Sequence, residues 1–333
     1  MTPHPVPTTP IAPWRPRARR AALGSAAAAL ALLGAAAMIA LSWREDLPDP
    51  VAAHWGSGPA PDGFSSLDGF VTVLALVGVG CVALLSAIAW LAGHAATTRR
   101  VLAATNVWIG GLLALALVGS LWGQRGLSNA ALAPGPGGVI ALATLGPILP
   151  AVAAALLVPG DPPLPATAPV PAEAPRSSAV GEAAVWTGQA RGGPGLVALG
   201  AAATAVTVGA AVLAQVWALV GLAALIALML ASMGSWGVRV DASGLTVRSA
   251  LGWPRTRIPA AEVERAGVTQ VNAFTDFGGW GWRVGRGGRI GIVPRSGPAL
   301  VVERTGGRSL VVTVDDAESG AALLNTMADR ARR

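Results

Sequence analysis

The residues best suited to chemistry lie in one short stretch, LPDPVAAHWGSGPAPDGFSS, from Leu47 to Ser66. It holds His54, one of three histidines in the chain, flanked by Asp49 and Asp62 and followed by Ser65 and Ser66. A histidine between two carboxylates can ligate a metal ion. Zinc, however, takes about four ligands, usually with more His or Cys, so no metal and no cofactor are expected here. A serine beside a His–Asp pair can hydrolyse, given the fixed geometry of a triad, which nothing in this spacing imposes. The same residues can recognise a ligand or peptide. In the plainest case His54 bonds a backbone carbonyl and Trp55 packs on the helix ends. A histidine that titrates near neutrality can also sense acidity.

The neighbours of these residues describe a compact cap. Pro48 and Pro50 fix φ and extend the chain, and Gly56, Gly58 and Gly63 permit tight turns. Trp55 and Phe64 suit the lipid headgroup level. Residues 43–68 carry Glu45, Asp46, Asp49, Asp62 and Asp68 against Arg44, a net charge of −4. Such a loop attracts a cationic peptide or a metal ion.

The elements that must hold this cap are apolar. The chain has 333 residues, 53% hydrophobic and 12% charged, about half the charged content of a typical soluble domain. Its mean hydropathy is +0.57. The 21-residue run from Ala21 to Leu41 is roughly 31 Å long as a helix, enough to cross a bilayer core. It is too long for the apolar region of a signal peptide. Further runs lie at 69–93, 101–122 and 137–158. Gly195 to Trp236 holds no charge over 42 residues, which reads as two spans with a turn near Gln215. The expected fold is therefore six transmembrane helices. None has Asp, Glu or Arg deep within it, unlike most coupled transporters and proton relays. Asn106, Gln215 and small residues such as Gly24/Ala28 and Gly78/Val82/Ser86 suit helix packing.

Arginine placement orients these spans. Residues 1–20, 94–100 and 159–194 carry four, two and two arginines, against Arg44 and Arg125 in the alternate loops. The positive-inside rule then puts both termini in the cytoplasm and the cap outside, at a plasma membrane. The 14 arginines after Gly237 fall on the same side, so the basic balance follows topology. Cys81 is the single cysteine and can form no intrachain disulfide.

Beyond the spans, residues 1–20 read as a disordered tail. Residues 159–194, with eight prolines, read as a disordered linker, in which Trp186 suits a membrane interface. From Gly237 the pattern alternates: Val238 and Val240, a turn at 242–244, then Leu245 and Val247, a hairpin signature. PALVVER and RSLVVTV flank a second turn at 305–307. Asp315 with Glu318 suits a capping box for a helix striped by Ala321, Leu324 and Ala328, with Leu323 and Met327 adjoining. FTDFGGWGWRVGRGGR, Phe274 to Arg289, interleaves aromatics, arginines and glycines. It can dock Trp280 and Trp282 at the inner leaflet while Arg283, Arg286 and Arg289 meet lipid phosphate or a protein partner. It can equally be a glycine-bent strand pair that packs its aromatics inward. A single such repeat does not make an RGG array, so nucleic acid is not an expected partner.

Two resemblances follow from these residues. Leu47-Pro48, Pro50-Val51, His54-Trp55-Gly56, Gly58, Pro61-Asp62-Gly63 and Ser65-Ser66, placed directly after a first span, resemble the bacterial membrane family called domain of unknown function 1648. That family includes an immunity protein against the Sdp toxin. The resemblance covers about residues 20–90, and the whole chain looks like an actinobacterial variant. Leu67 stands where the family usually has a basic residue. About seven short strands and one C-terminal helix, with RTRIPAAEVERAGV, are similar to bacterial pleckstrin-homology-like (PH-like) domains. The resemblance implies an integral membrane protein without one settled activity. The expected function is a non-enzymatic sensor, immunity or signalling protein. Its partners would be the lipid bilayer, an extracytoplasmic peptide or small ligand, and a cytoplasmic protein. A transporter or channel component and a membrane hydrolase using the cap are the alternatives.

Overall fold

The computed structural model describes residues 14–56, 60–178, 184–213, 218–252, 254–285 and 289–333. They form two compact units. One comprises the chain up to Asp161 together with Val208–Leu222, and the other comprises Pro162–Thr207 and Ala223–Arg333.

The first unit begins with helix α1, Arg15–Ser42. A hairpin of strands β1, Val51–His54, and β2, Gly63–Ser65, follows. Helices α2, Leu67–Ala92, and α3, Ala96–Trp122, come next. Helices α4, Gly137–Leu145, and α5, Ile148–Leu157, make one apolar segment interrupted at Gly146-Pro147. Proline has no N–H for the helix ladder and clashes with the preceding turn, which accounts for the interruption. Arg15 to Arg20 belong to α1, not to a disordered tail.

Close approach binds these helices. A Cβ on Gly110 of α3 would strike the Ala29 backbone of α1, and one on Gly78 of α2 would strike the Leu33 side chain. Small residues at such crossings let helix backbones meet in lipid. Gly24, by contrast, has nothing within 4 Å of an added Cβ, so it is not a contact point. Asn106 is fully buried and donates to Ser25 Oγ at 3.2 Å and Ser86 Oγ at 3.0 Å, joining α1, α2 and α3. At the opposite end of α3 from the hairpin, the fully buried Arg99 pairs with Asp161 at 2.6 Å and donates to Gly93 O at 2.9 Å.

The second unit opens with strand β3, Trp186–Arg191. Helices α6, Pro194–Leu213, and α7, Ala218–Gly234, follow, and their segments at 208–213 and 218–222 belong to the first unit. The expected turn near Gln215 lies outside the described residues. Strands β4, Ser235–Asp241, β5, Gly244–Ser249, β6, Arg255–Pro259, and β7, Val263–Val271, come next. Then come helix α8, Ala273–Phe277, and strands β8, Gly281–Val284, β9, Ile290–Val293, β10, Gly297–Arg304, and β11, Arg308–Thr313. Helix α9, Ala317–Arg330, ends the chain. One sheet has the order β3-β4-β5-β6, the other β7-β10-β11-β9-β8, with β9 and β11 parallel. Both hairpins expected from alternation form, as β4–β5 and β10–β11. Trp236, Leu245, Ile258, Leu300 and Val312 build the core with Leu324 and Met327 of α9.

Two expectations need correction here. Residues 159–178 and 184–194 are not a disordered linker. Ala166 N–H donates to Ala261 O at 2.7 Å, Val170 and Ala174 are buried in the core, and β3 pairs with β4 over its whole length. Trp186 packs against that core and donates to Asp316 at 3.1 Å rather than marking an interface. Prolines keep this stretch out of helix, but its alanines and valine still bury on a sheet that needs covering. The cap of α9 is Asp316, which accepts from Ser319 N–H at 3.3 Å, one position past the expected Asp315. Asp315 instead pairs with Arg295.

Among the described residues, five helical segments are long and apolar enough to cross a membrane: Arg15–Ser42, Leu67–Ala92, Ala96–Trp122, Gly137–Leu157 and Pro194–Leu213. The apolar helix Ala223–Gly234 is shorter. The chain thus joins membrane-type helices to a C-terminal β-sheet unit.

Candidate functional site

The cap is a short hairpin fastened to the end of α3. Val51 pairs with Ser65, Ala52 with Phe64 and His54 with Gly63, with a bulge between Ala52 and His54. An isolated two-stranded hairpin is marginal in water, so something must hold it. Gln124, fully buried just past α3, does so. Its Oε1 accepts Ala52 N–H at 2.7 Å and its Nε2 donates to Ala52 O at 2.9 Å. One side-chain amide thus satisfies both backbone groups of a buried strand residue. Gly126 N–H donates to Asp46 O at 2.7 Å, and Arg125 pairs with Asp46 at 2.6 Å. The Arg125 guanidinium also lies 4.8 Å from the Trp43 ring and 5.2 Å from the Trp122 ring. Arg44 pairs with Asp68, and Ser66 caps α2 by accepting Gly69 N–H at 3.1 Å.

On this platform His54 Nδ1 and Asp62 Oδ1 are 2.7 Å apart. The side chains are 71% and 55% exposed, so the dyad faces solvent. His54 thus bonds a carboxylate, not the backbone carbonyl that the sequence suggested. The glycines around it are explained by crowding. A Cβ on Gly63 would strike the His54 Cβ, and one on Gly56 would run into the Asp62 carboxylate. The His54 hydrogen bond is the main cause holding the Asp62 carboxyl below its ordinary range, aided by backbone N–H groups of Asp62 and Gly56. A depressed value means the ionised carboxylate contributes to the cap throughout the range above the ordinary carboxylate value. The contribution is lost as pH falls through the depressed value. Carbon-detected NMR of Asp62 should show a midpoint below that of a model aspartate, and His54→Ala should raise it. An unchanged midpoint in that variant would contradict the pairing.

The remaining predicted cap residues are dispersed around the dyad. Pro48 is half-buried and Asp49 exposed. Trp55, like Leu127, packs against the buried cluster of Ala52, Ala130 and Ala133, so it belongs to the cap's underside. Ser65 is half-buried in the β-ladder. Gly58 lies outside the described residues. Among the described residues no three His, Cys, Asp or Glu side chains gather into a metal-binding group.

In the second unit, the aromatic–arginine stretch is largely a packing device. Trp282 lies 5.6 Å from the fully buried Trp236 ring and joins the core. Trp280 meets Phe274 edge-on at 4.8 Å, and a Cβ on Gly195 would strike its ring. Arg283 is exposed and donates to Trp280 O at 2.8 Å, while Arg289 lies 5.9 Å from the Phe277 ring. Arg286 lies outside the described residues.

Gln124 and Arg125 were not singled out by their residue types. The available signal was positional: WGQRG places two polar residues directly after an apolar run, where a helix must meet whatever caps it.

The geometry defines a helical membrane-type unit whose loops build a hairpin with an exposed His54–Asp62 pair, in one chain with a β-sheet unit. No family model, curated protein or solved structure matches the chain.

Proposed function

We propose that this chain is a non-enzymatic membrane sensor, immunity or signalling protein of the domain of unknown function 1648 type. In this reading the cap lies outside the plasma membrane and both termini lie in the cytoplasm, with α6 and α7 as the last two of six spans. The C-terminal unit is a PH-like domain that contacts lipid or a protein partner. The cap binds a cationic peptide or small ligand.

The observation that carries the reading is the exposed His54–Asp62 dyad, held on a hairpin that Gln124 and Arg125 make rigid. A surface group fixed in this way loses little entropy on binding, which favours recognition. The net negative loop supplies long-range attraction for a cationic ligand. Ser66 is engaged as a helix cap, which supports recognition over hydrolysis. The test replaces His54 and Asp62 together by Ala and Asn in the full chain. A photo-crosslinking group at position 64, an exposed residue of the same hairpin, reports what the cap captures in cells. The reading expects a captured species that the double variant loses while the hairpin stays protected from hydrogen exchange. Identical capture by both proteins would refute it.

A further inference from the structure

The outward face of the β3-β4-β5-β6 sheet is unlike the rest of the unit. Alternate residues point inward as Trp236, Val238, Val240, Leu245, Val247 and Ile258, all buried. The opposite set carries arginine on every strand: Arg191, Arg239, Arg248, Arg255 and Arg257, all exposed. Asp241 is the single acidic residue on these four strands. It is already engaged by Arg239 at 2.9 Å and by Ser243, and these hydrogen bonds lower its carboxyl to about 2. Arg239 is therefore neutralised in place. The side chains of Arg248, Arg255 and Arg257 have no hydrogen bond or ion pair among the described residues.

Register arranges these cations in rows. Gln189, Gly237, Arg248 and Arg255 lie side by side across the sheet, and Thr187, Arg239, Thr246 and Arg257 form the next row. Gly237 puts no side chain in the middle of the first row. Its hypothetical Cβ would make only ordinary contact with Arg248, so the floor is open. The result is a shelf of about 650 Å³ walled by Arg239, Arg248 and Arg257. That volume lies within the range of small-molecule pockets.

Chain continuity says what stands next to this shelf. β3 ends at Arg191 and α6 begins at Pro194; α7 ends at Gly234 and β4 begins at Ser235. Arg191 and Ser235 are cross-strand partners, so both apolar helices leave the sheet at the same end. The turn joining β5 and β6 lies there too, since Ala250 N–H donates to Ser235 O at 2.9 Å. Leu251 in that turn is 60% exposed, an apolar side chain beside the point where the apolar helices begin. The Arg248/Arg255 row is two residues from that end, roughly 7 Å at strand rise. The Arg239/Arg257 row is about 13 Å away. The first row lies within a Debye length of roughly 8–10 Å and the second just beyond it, and arginine side chains reach back towards an interface.

We propose that this arginine shelf binds the phosphate headgroups of anionic phospholipid in the bilayer entered by α6. The proposal rests on the membrane reading above and adds a site to it. Arg248 and Arg257 of the shelf, with Arg255 beside Arg248 at its edge, supply the cationic contacts, guanidinium to phosphate oxygen, and Leu251 anchors the turn among the lipid chains. Docking pins the sheet against the leaflet and makes its position responsive to lipid charge.

The test uses the full chain with Cys81→Ala and Thr187→Cys, carrying an environment-sensitive dye. It is reconstituted in nanodiscs of phosphatidylcholine alone or of equal parts phosphatidylcholine and phosphatidylglycerol. The dye should report docking only with phosphatidylglycerol, and added salt should reverse it. Replacing Arg248, Arg255 and Arg257 by Gln should reduce the docked-to-free ratio about fivefold each, roughly a hundredfold together. Replacement by Lys should keep most of the response. The same response in phosphatidylcholine discs would overturn the proposal. So would a response there on adding soluble glycerol phosphate, which would make this a small-anion site, or polyglutamate, which would make it an acidic-protein site. Failure of the chain to enter nanodiscs at all would instead strike the membrane reading.

Discussion

Gln124→Leu should release the cap. Leucine matches glutamine in size but offers neither donor nor acceptor. Ala52 N–H and Ala52 O, in a residue with no exposure, would then lose partners now at 2.7 and 2.9 Å. Each unmade buried backbone bond costs about 1–3 kcal/mol. β2 already pairs with the other edge of β1, and a two-stranded ribbon has little stability of its own. Amide exchange in Val51–His54 and Gly63–Ser65 should therefore accelerate about a hundredfold, while α2 and α3 keep their protection. The Asp62 titration should move back towards the ordinary carboxylate range in the same variant, because a released hairpin no longer aligns His54 with it. Unaltered protection of Val51–His54 would show that the hairpin does not need this amide.

Asn325→Leu should have a comparable effect on the other unit, by the same device. Asn325 is fully buried in α9. Its Oδ1 accepts Ala266 N–H at 2.7 Å, and its Nδ2 donates to Ala266 O and to Pro175 O, both at 2.9 Å. It therefore fastens helix, strand β7 and the Pro-rich segment at one point. β10 pairs with β7 along one edge, and the amide serves the Ala266 groups that face α9. Removing it leaves the two buried backbone groups of Ala266 to find other partners, at about 2–6 kcal/mol in total. For a unit of this size that lowers the melting temperature by roughly 10 °C. Scanning calorimetry of the full chain should show the transition of the β-unit moving down. Hydrogen exchange should place the loss at β7 and at residues 170–178. A melting curve like that of the unchanged chain would contradict the clamp.

Much of this architecture was legible in the residues because it follows from period and length. Runs of twenty or more apolar residues can do little except cross lipid or fill a large core, and alternation around a Ser-Gly turn admits few structures besides the β4–β5 hairpin. The stripe through Ala321, Leu324 and Ala328 was similarly unambiguous, since only a helix puts those positions on one face.

What stayed hidden was long-range. The Pro-rich segment looks like a linker by composition, but composition cannot say that a sheet edge will recruit residues 186–191 as a strand. Gln124 and Asn325 are ordinary polar residues until the backbone each one satisfies is known, and those partners lie 72 and 59 residues away. Within the cap, the spacing of His54 and Asp62 allowed a metal site, a hydrolytic pair or a simple packing role. The hairpin brings the two side chains together at the solvent surface, a pairing that the spacing alone did not specify. The tryptophans of the glycine-rich stretch were ambiguous for a related reason. A Trp ring suits a headgroup layer and a protein core equally, and Trp236 decided the position of Trp282.

Single cysteines, placed in turn in a chain with Cys81→Ala, give the most direct measurement of the arrangement as a whole. Phe64→Cys reports the hairpin and Glu303→Cys the β-unit. A membrane-impermeant maleimide applied to intact cells should label position 64 at once, and position 303 only after the membrane is opened. Labelling at 303 with 64 protected would invert the protein. Labelling of both in intact cells would put hairpin and β-unit on one side, and neither the recognition role of the cap nor the inner-leaflet role of the arginine shelf would then stand as described.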